Sequence, residues 1–273
     1  MSGFTCPVCG GKLASDGKMM NCASGHSYNI ARSGYVNLLM SNAAGGKRHG
    51  DDRLMINARH AFLNKGYYQP LLDGIYKMIL PRLRQEACIL DCGCGEGWYT
   101  SKIYENLAEG GILANMLGVD ISRDALKIAA RSCGDAAFAV ASAYRLPVAD
   151  SSCDCLLSIF SPLAEEEYAR VLAAGGYLLR AVPLEEHLIE LKKAVYDVPR
   201  LNPPDTEKPK GFVLADSCDI RYSFSLDSNE DIMNLFYMTP YYYKSGESDQ
   251  LKLKSIDNME ISAAFGVRLW ERK

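Results

Sequence analysis

The chain has 273 residues, with 30 Lys and Arg against 33 Asp and Glu, a net charge of −3 and a pI near 5.9. At 48% apolar and 23% charged it can fill a large core, which excludes disorder as its main state. No run reaches the roughly 18 consecutive apolar residues of a spanning helix, so no membrane partner is expected.

Residues 1–37 are rich in Cys, Gly and Ser and lack long apolar runs. Cys6, Cys9, Cys22 and His26 follow the spacing C-x2-C-x12-C-x3-H. Two residues between the first pair let both sulfurs face one ion from a tight turn. The intervening dozen residues can form a hairpin that returns Cys22 and His26. Three thiolates and one imidazole make a closed structural zinc shell, and a segment this poor in apolar residues folds only with such a staple. Met1 to Thr5 show no basic stretch leading into an apolar run, so a cytoplasmic location is expected; reduced cysteines clustered there point to metal rather than disulfides.

Ser41 to Gly50 reads as a linker or mobile loop. Apolar residues at helical spacing predict helices from Asp51 to about Lys65 and over about 69–84. Next comes a strand at Cys88 to Asp91, a Gly-rich turn, and a helix from about Gly97 to Ala108. Strands are expected at 112–120, 136–141, 153–160 and 177–182, and helices at 123–132, 164–172 and 188–196. This alternation predicts a mostly parallel sheet covered on both faces. A Pro-rich stretch, 199–210, interrupts the pattern. Strands at 212–226 and 259–270, joined by a helix near 228–237, suit an antiparallel addition at the sheet edge. The aromatic run 236–243 could stack on a ligand or simply pack.

Charge is unevenly spread. Residues 1–68 hold eight Lys and Arg against three Asp, a net of +5, which leaves −8 for 69–273. A basic, zinc-stapled segment on an acidic body suggests a nucleic-acid grip.

Asp91-Cys92-Gly93-Cys94-Gly95-Glu96-Gly97 closes the first strand and opens a helix. It departs from the dinucleotide pattern G-x-G-x-x-G, and acids at Asp91 and Glu96 would repel a pyrophosphate. They suit a cationic ligand with an amino group, S-adenosylmethionine. Asp120, ending the second strand, is placed to accept two ribose hydroxyls. Ser142, after the third strand, stands where an adenine contact is expected. Cys88, Cys92, Cys94, Cys133, Cys153, Cys155 and Cys218 read as small buried hydrophobes. His49 and His60 have no partner spacing and read as solvent-facing.

These motifs, with Gly34-Tyr35-Val36-Asn37-Leu38-Leu39, Arg59-His60-Ala61-Phe62-Leu63, Tyr67-Tyr68-Gln69-Pro70-Leu71, His187-Leu188-Ile189-Glu190-Leu191-Lys192 and Met238-Thr239-Pro240, resemble the 23S ribosomal RNA guanine-N1 methyltransferases, a group that includes macrolide-resistance relatives. The resemblance covers nearly the whole chain. It implies an α/β fold: a Rossmann-like class I methyltransferase sheet over 69–273, a linker and helix over 38–68, and a zinc-binding RNA-recognition module over 1–37. It implies methyl transfer from S-adenosylmethionine to N1 of a guanine in a hairpin of 23S rRNA, by a homodimer. Cys6, Cys9, Cys22 and His26 carry over as zinc ligands. Tyr68, Gly95, Glu96 and His187 carry over as cofactor contacts, beside Asp91, Gly93, Gly97, Asp120 and Ser142. Where the family often has Tyr-Ala-Pro, this chain has Phe160-Ser161-Pro162, which removes a phenol and keeps an aromatic face. A small-metabolite methyltransferase and a non-catalytic RNA-binding protein are the competing readings; a basic zinc module argues against the first, and an intact Gly loop against the second.

Overall fold

A computed structural model describes residues 3–40 and 50–273. The predicted linker, Gly50 apart, and His49 lie outside the described residues. β1 (Ala14–Ser15), β2 (Met19–Asn21) and β3 (Ser27–Asn29) form a small antiparallel sheet, with the β1–β2 turn closed by Asp16, whose Oδ1 accepts the Lys18 and Met19 N–H groups at 2.9 and 2.7 Å. This is the hairpin expected between the two halves of the Cys/His set.

The larger sheet has eight strands. β4 (Val36–Asn37) comes first in the chain, followed by helices α1 (Arg53–Asn64) and α2 (Gln69–Ile79) and a 3-10 turn, Leu80–Arg82. The body then runs β5 (Cys88–Cys92), α3 (Trp98–Glu109), β6 (Asn115–Asp120), α4 (Arg123–Ser132), β7 (Ala137–Val140), β8 (Cys153–Ile159), α5 (Glu165–Val171), β9 (Leu172–Pro183) and α6 (Ile189–Val195). It closes with β10 (Phe212–Leu226), α7 (Asn229–Tyr237), α8 (Tyr241–Lys244), α9 (Glu247–Leu253) and β11 (Met259–Arg272).

Across the sheet the order is β10-β11-β9-β8-β5-β6-β7-β4. Every pair from β9 to β4 is parallel, and β11 runs antiparallel to both β9 and β10. The mostly parallel sheet with an antiparallel edge is therefore present. The chain moves outward from β5 through β6 to β7 and then returns to β8 on the other side of β5. That reversal opens a crevice beyond the carboxyl ends of β5 and β8.

Alternation along the central strands serves two cores. Ile89, Leu157 and Leu179 face α1, α2, α3 and α7, while Leu90, Leu156 and Leu178 face the opposite layer with Tyr168 and Phe4. Strands buried on both sides need apolar residues at successive positions, which is why β8 reads as a nearly continuous apolar run. Helix starts follow local capping: Asp52 accepts the Met55 N–H, Ser122 the Ala125 N–H and Ser228 the Asp231 N–H.

The N-terminal segment shares the second core. Phe4 is fully buried there with Leu13, Thr5 donates its N–H to the Pro147 oxygen at 2.8 Å, and β4 extends the large sheet beside β7. Burying Phe4 contributes about 2–3 kcal/mol, so the body and the zinc segment stabilise each other. The predicted boundary after residue 37 coincides with the end of β4. β9 starts at Leu172, five residues before the predicted strand; Gly175 and Gly176 have no side chains and mask its alternation, and the pairing shifts register between Cys153 and Cys155. Of the aromatic run, Phe236 is core and Tyr241–Lys244 is a short helix with Tyr243 exposed.

Candidate functional site

The four residues of the Cys/His spacing come together in space. The ligand atoms of Cys6, Cys9, Cys22 and His26 all lie within 4.8 Å of one another. Two tight turns bring them there: Gly10 N–H donates to the Cys6 oxygen and Gly25 N–H to the Cys22 oxygen, both glycines at positive φ. The Gly11 N–H and the Ser24 hydroxyl draw the exposed Cys9 thiol down to about 6, toward the thiolate a metal needs. The Tyr28 hydroxyl lies 3.1 Å from Cys6 Sγ and can donate to that sulfur. A Cys3His set at this separation fits a tetrahedral zinc ion.

The second site lies at the crevice. β5 ends in Asp91, and Gly93, Gly95 and Gly97 follow with φ of +82°, +56° and +83°. Space matters as much as conformation. A Cβ on Gly93 would meet Ser161 Cβ at 2.5 Å, and one on Gly97 would meet Ala129 Cβ at 2.7 Å. Ser161 in turn donates its hydroxyl to the Cys92 oxygen at 2.7 Å, tying the end of β8 to the loop.

Three acids surround the loop. Asp91 is buried and accepts the Thr100 hydroxyl at 2.6 Å; burial pushes its carboxyl up to about 7 against that hydrogen bond. Asp120 accepts the Gly95 N–H at 2.9 Å and the Ser122 N–H at 2.7 Å, and burial also raises it. Its oxygens keep lone pairs for two hydroxyl donors. Glu96 is buried, with Oε2 3.1 Å from His60 Nδ1 and Oε1 without a hydrogen-bond partner among the described residues. A buried carboxylate oxygen left unpaired costs about 1–3 kcal/mol, so it favours any ligand that brings a donor. The Tyr99 hydroxyl is likewise buried and unpartnered. A cationic ligand with several donors fits this acid-lined cradle; a pyrophosphate does not.

His60 corrects the sequence reading. It is half-buried on α1 and paired with Glu96, whose carboxylate raises the imidazole. Only the packing of α1 across the loop makes the pair, and no spacing signals it. Tyr99, two residues past the loop in the first turn of α3, carries no sequence signal for this role.

Tyr68 and His187 meet in the wall of the same crevice, with Tyr68 Oη 3.3 Å from His187 Nε2. The Ala264 N–H donates to His187 Nδ1 at 3.2 Å, and burial holds the ring neutral, near 3. The ring proton is therefore assigned to Nε2 and points at Tyr68 Oη, which leaves the phenol proton free for another acceptor. Phe160 projects beside them, 44% exposed at a left-handed φ of +55°, with its ring 6.5 Å from that of Tyr68 and 6.4 Å from that of Tyr99. A bulky residue held in that conformation is strained, and such strain clusters at functional sites. Ser142 turns its hydroxyl to its own chain, accepting the Tyr144 N–H at 3.3 Å. It lines a cavity of about 470 Å³ between the zinc segment and the body. Of the structural cysteines, Cys92, Cys94, Cys133, Cys153 and Cys155 are buried, and Cys88 and Cys218 are partly so.

Residues 4–43 match the zinc ribbon described as RlmA, N-terminal, and residues 89–180 match a methyltransferase domain. A Bacillus subtilis protein provisionally named 23S rRNA (guanine-N(1)-)-methyltransferase YxjB is 32% identical over 269 residues, 95% of this chain and 93% of that one. The chain belongs to the 23S rRNA (guanine-N1)-methyltransferase family. The Streptomyces fradiae 23S rRNA (guanine(748)-N(1))-methyltransferase is 34% identical, covering 70% of this chain and 66% of its own. A solved structure of the YcgJ protein of Bacillus subtilis superposes with a TM-score of 0.52 at 14% identity, over 76% of this chain and 99% of that one, a likeness of fold. Members of this methyltransferase family use S-adenosylmethionine, which the acid-lined loop fits, and zinc, which the Cys3His cluster fits. Among the described residues no helix is long and apolar enough to cross a membrane.

Proposed function

We propose that this protein transfers a methyl group from S-adenosylmethionine to N1 of one guanine in a hairpin of 23S rRNA. The observation that carries the reading is the union, in one chain, of a Cys3His zinc segment and an acid-lined glycine loop at the switch point of the sheet. The cofactor supplies an electrophilic methyl group on a sulfonium. The residues of the chain hold and align the reactants. Asp91 and Glu96 attract the cationic ligand, and Asp120 accepts its ribose hydroxyls. The Tyr68 hydroxyl, oriented by His187, would donate to the carboxylate of the cofactor. Gly93, Gly95 and Gly97 leave room for close approach, and Ser142 borders the adenine end.

Phe160 offers an aromatic face to an unstacked guanine. A base must leave its stack for its N1 to reach a methyl group, and RNA readers capture such bases on aromatic rings. Alignment and exclusion of water account for catalysis of this kind. The basic first 68 residues would hold the RNA backbone. A homodimer and a cytoplasmic setting belong to this reading, supported by the family resemblance; light scattering of the purified protein tests the dimer.

Primer extension across large-subunit rRNA tests the reaction itself. An N1 methyl blocks Watson–Crick pairing and stops reverse transcriptase. One stop is expected to vanish in a strain lacking the gene and return on complementation; persistence of every stop would sink the proposal.

A further inference from the structure

The Pro-rich stretch 199–210 has a role that the cofactor site does not explain. Residues 199–209 form neither helix nor strand and run beside the sheet between two anchors. At one end Asn202 donates to the Leu184 oxygen at 2.8 Å and accepts from Lys192 Nζ at 2.7 Å. At the other, the Lys210 N–H donates to Glu165 Oε2 at 3.1 Å. Pro203, Pro204 and Pro209 lack an N–H, so this coil cannot be stitched down by a regular backbone ladder.

Between the anchors lie two carboxylates at alternate positions. Glu207 pairs with Arg180 Nη2, and Asp205 Oδ2 lies 3.3 Å from Arg268 Nε. Arg180 and Arg268 are directly opposite each other on β9 and β11. Like charges facing across neighbouring strands repel, so this pair persists only with anions at hand. Asp219 of β10 supplies Arg268 with a second carboxylate, 2.9 Å from Nη2. Arg180 is less well served. It is buried, with Nε lacking any partner among the described residues, so Glu207 engages only half of its Nε–Nη2 edge. A phosphate, with its several acceptor oxygens, can use both nitrogens of that edge. The position is also apt: Arg180 neighbours Ser158 on β8, and the Ala181 oxygen accepts the Phe160 N–H at 3.0 Å.

We infer that Arg180 and Arg268 form a binding site for RNA backbone phosphates next to the target base, and that Asp205 and Glu207 occupy it in the RNA-free protein. The inference rests on the RNA reading above. On binding, the coil swings out on its anchors and phosphates replace the two carboxylates. Each phosphate thus exchanges for an internal anion, which discriminates against polyanions too short or too stiff to fill both positions.

The test uses the zinc-loaded full chain, a fluorescent 23S rRNA hairpin and anisotropy over a salt series. D205N/E207Q removes the internal competitors. It is expected to bind RNA more tightly than the wild type, with a slope of log K against log salt steeper by about 1.4, two single-strand phosphates at about 0.7 each. An unchanged or shallower slope overturns the inference. Because the double variant could unfold, the wild type is also digested with endoproteinase Glu-C, which must take Glu207 out of the Arg180 contact to cut after it. Added hairpin should accelerate cleavage at Glu207; equal or slower cleavage overturns the inference. If the wild type neither binds nor methylates the hairpin, the RNA reading itself has failed, which is distinguishable from binding with an unaltered slope.

Discussion

Asp91→Asn separates the cofactor role of this acid from its cost to the fold. The carboxyl is fully buried at the base of the loop, hydrogen-bonded to Thr100, and pushed up to about 7 from an ordinary 3.8. A raised folded-state value means that the native protein holds this proton more tightly than the unfolded chain. The associated stability is present below about pH 4 and is lost as pH rises through about 7. Integrating between about pH 5 and pH 8 at about 1.36 kcal/mol per unit gives a loss on the order of 2.5 kcal/mol in the wild type. Asn has no proton to exchange, so other titrating groups cancel in the comparison. Urea unfolding without cofactor at both pH values should show D91N gaining about that amount on the wild type as pH rises. Calorimetry at pH 8 should show that the variant has lost most of its S-adenosylmethionine affinity, since a cation repays the buried charge only where that charge exists. A stability difference that does not move with pH would refute the argument that Asp91 is a costly buried acid.

Three further changes probe the remaining parts. Cys9→Ala should lose zinc, measured by metal analysis, and lose RNA affinity while S-adenosylmethionine binding survives; full RNA affinity in the variant would detach the zinc segment from recognition. His60→Ala removes the partner that holds Glu96 in place, and losing that positioning contact, about 1 kcal/mol at a half-exposed site, should weaken S-adenosylmethionine binding roughly five-fold by calorimetry, whereas unchanged or tighter binding would make the contact incidental. Phe160→Ala should lower kcat/KM on the RNA hairpin by about 5- to 150-fold, the worth of one base stack of about 1–3 kcal/mol, with cofactor affinity unchanged; unimpaired methylation would remove Phe160 from base capture.

Much of this protein is legible along the chain. Metal spacing is a local property: the pairs Cys6/Cys9 and Cys22/His26 each sit on one turn, so the cluster can be read without knowing the fold. The same holds for the glycine loop, where positive φ and close approach demand glycine whatever surrounds it. The parallel sheet follows from strands and helices that alternate with the right lengths. The resemblance added Tyr68 and His187, which no spacing links because they stand 119 positions apart.

Other features depend on what folding brings together. The pairing of His60 with Glu96 exists because α1 packs over the loop, and the burial that lifts Asp91 comes from neighbours contributed by several elements. The +5 segment and the −8 body are visible in the sequence as a charge contrast, but that Phe4 and β4 join the zinc segment to the main core and sheet is not. The coil 199–210 reads as a plain interruption until β9 and β11 set two arginines side by side beneath it. Short-range geometry and backbone conformation are encoded residue by residue, so the sequence alone determined the metal set, the loop and the sheet. Burial, pKa shifts and long-range charge pairs are properties of the assembled environment, and only the tertiary structure decided them.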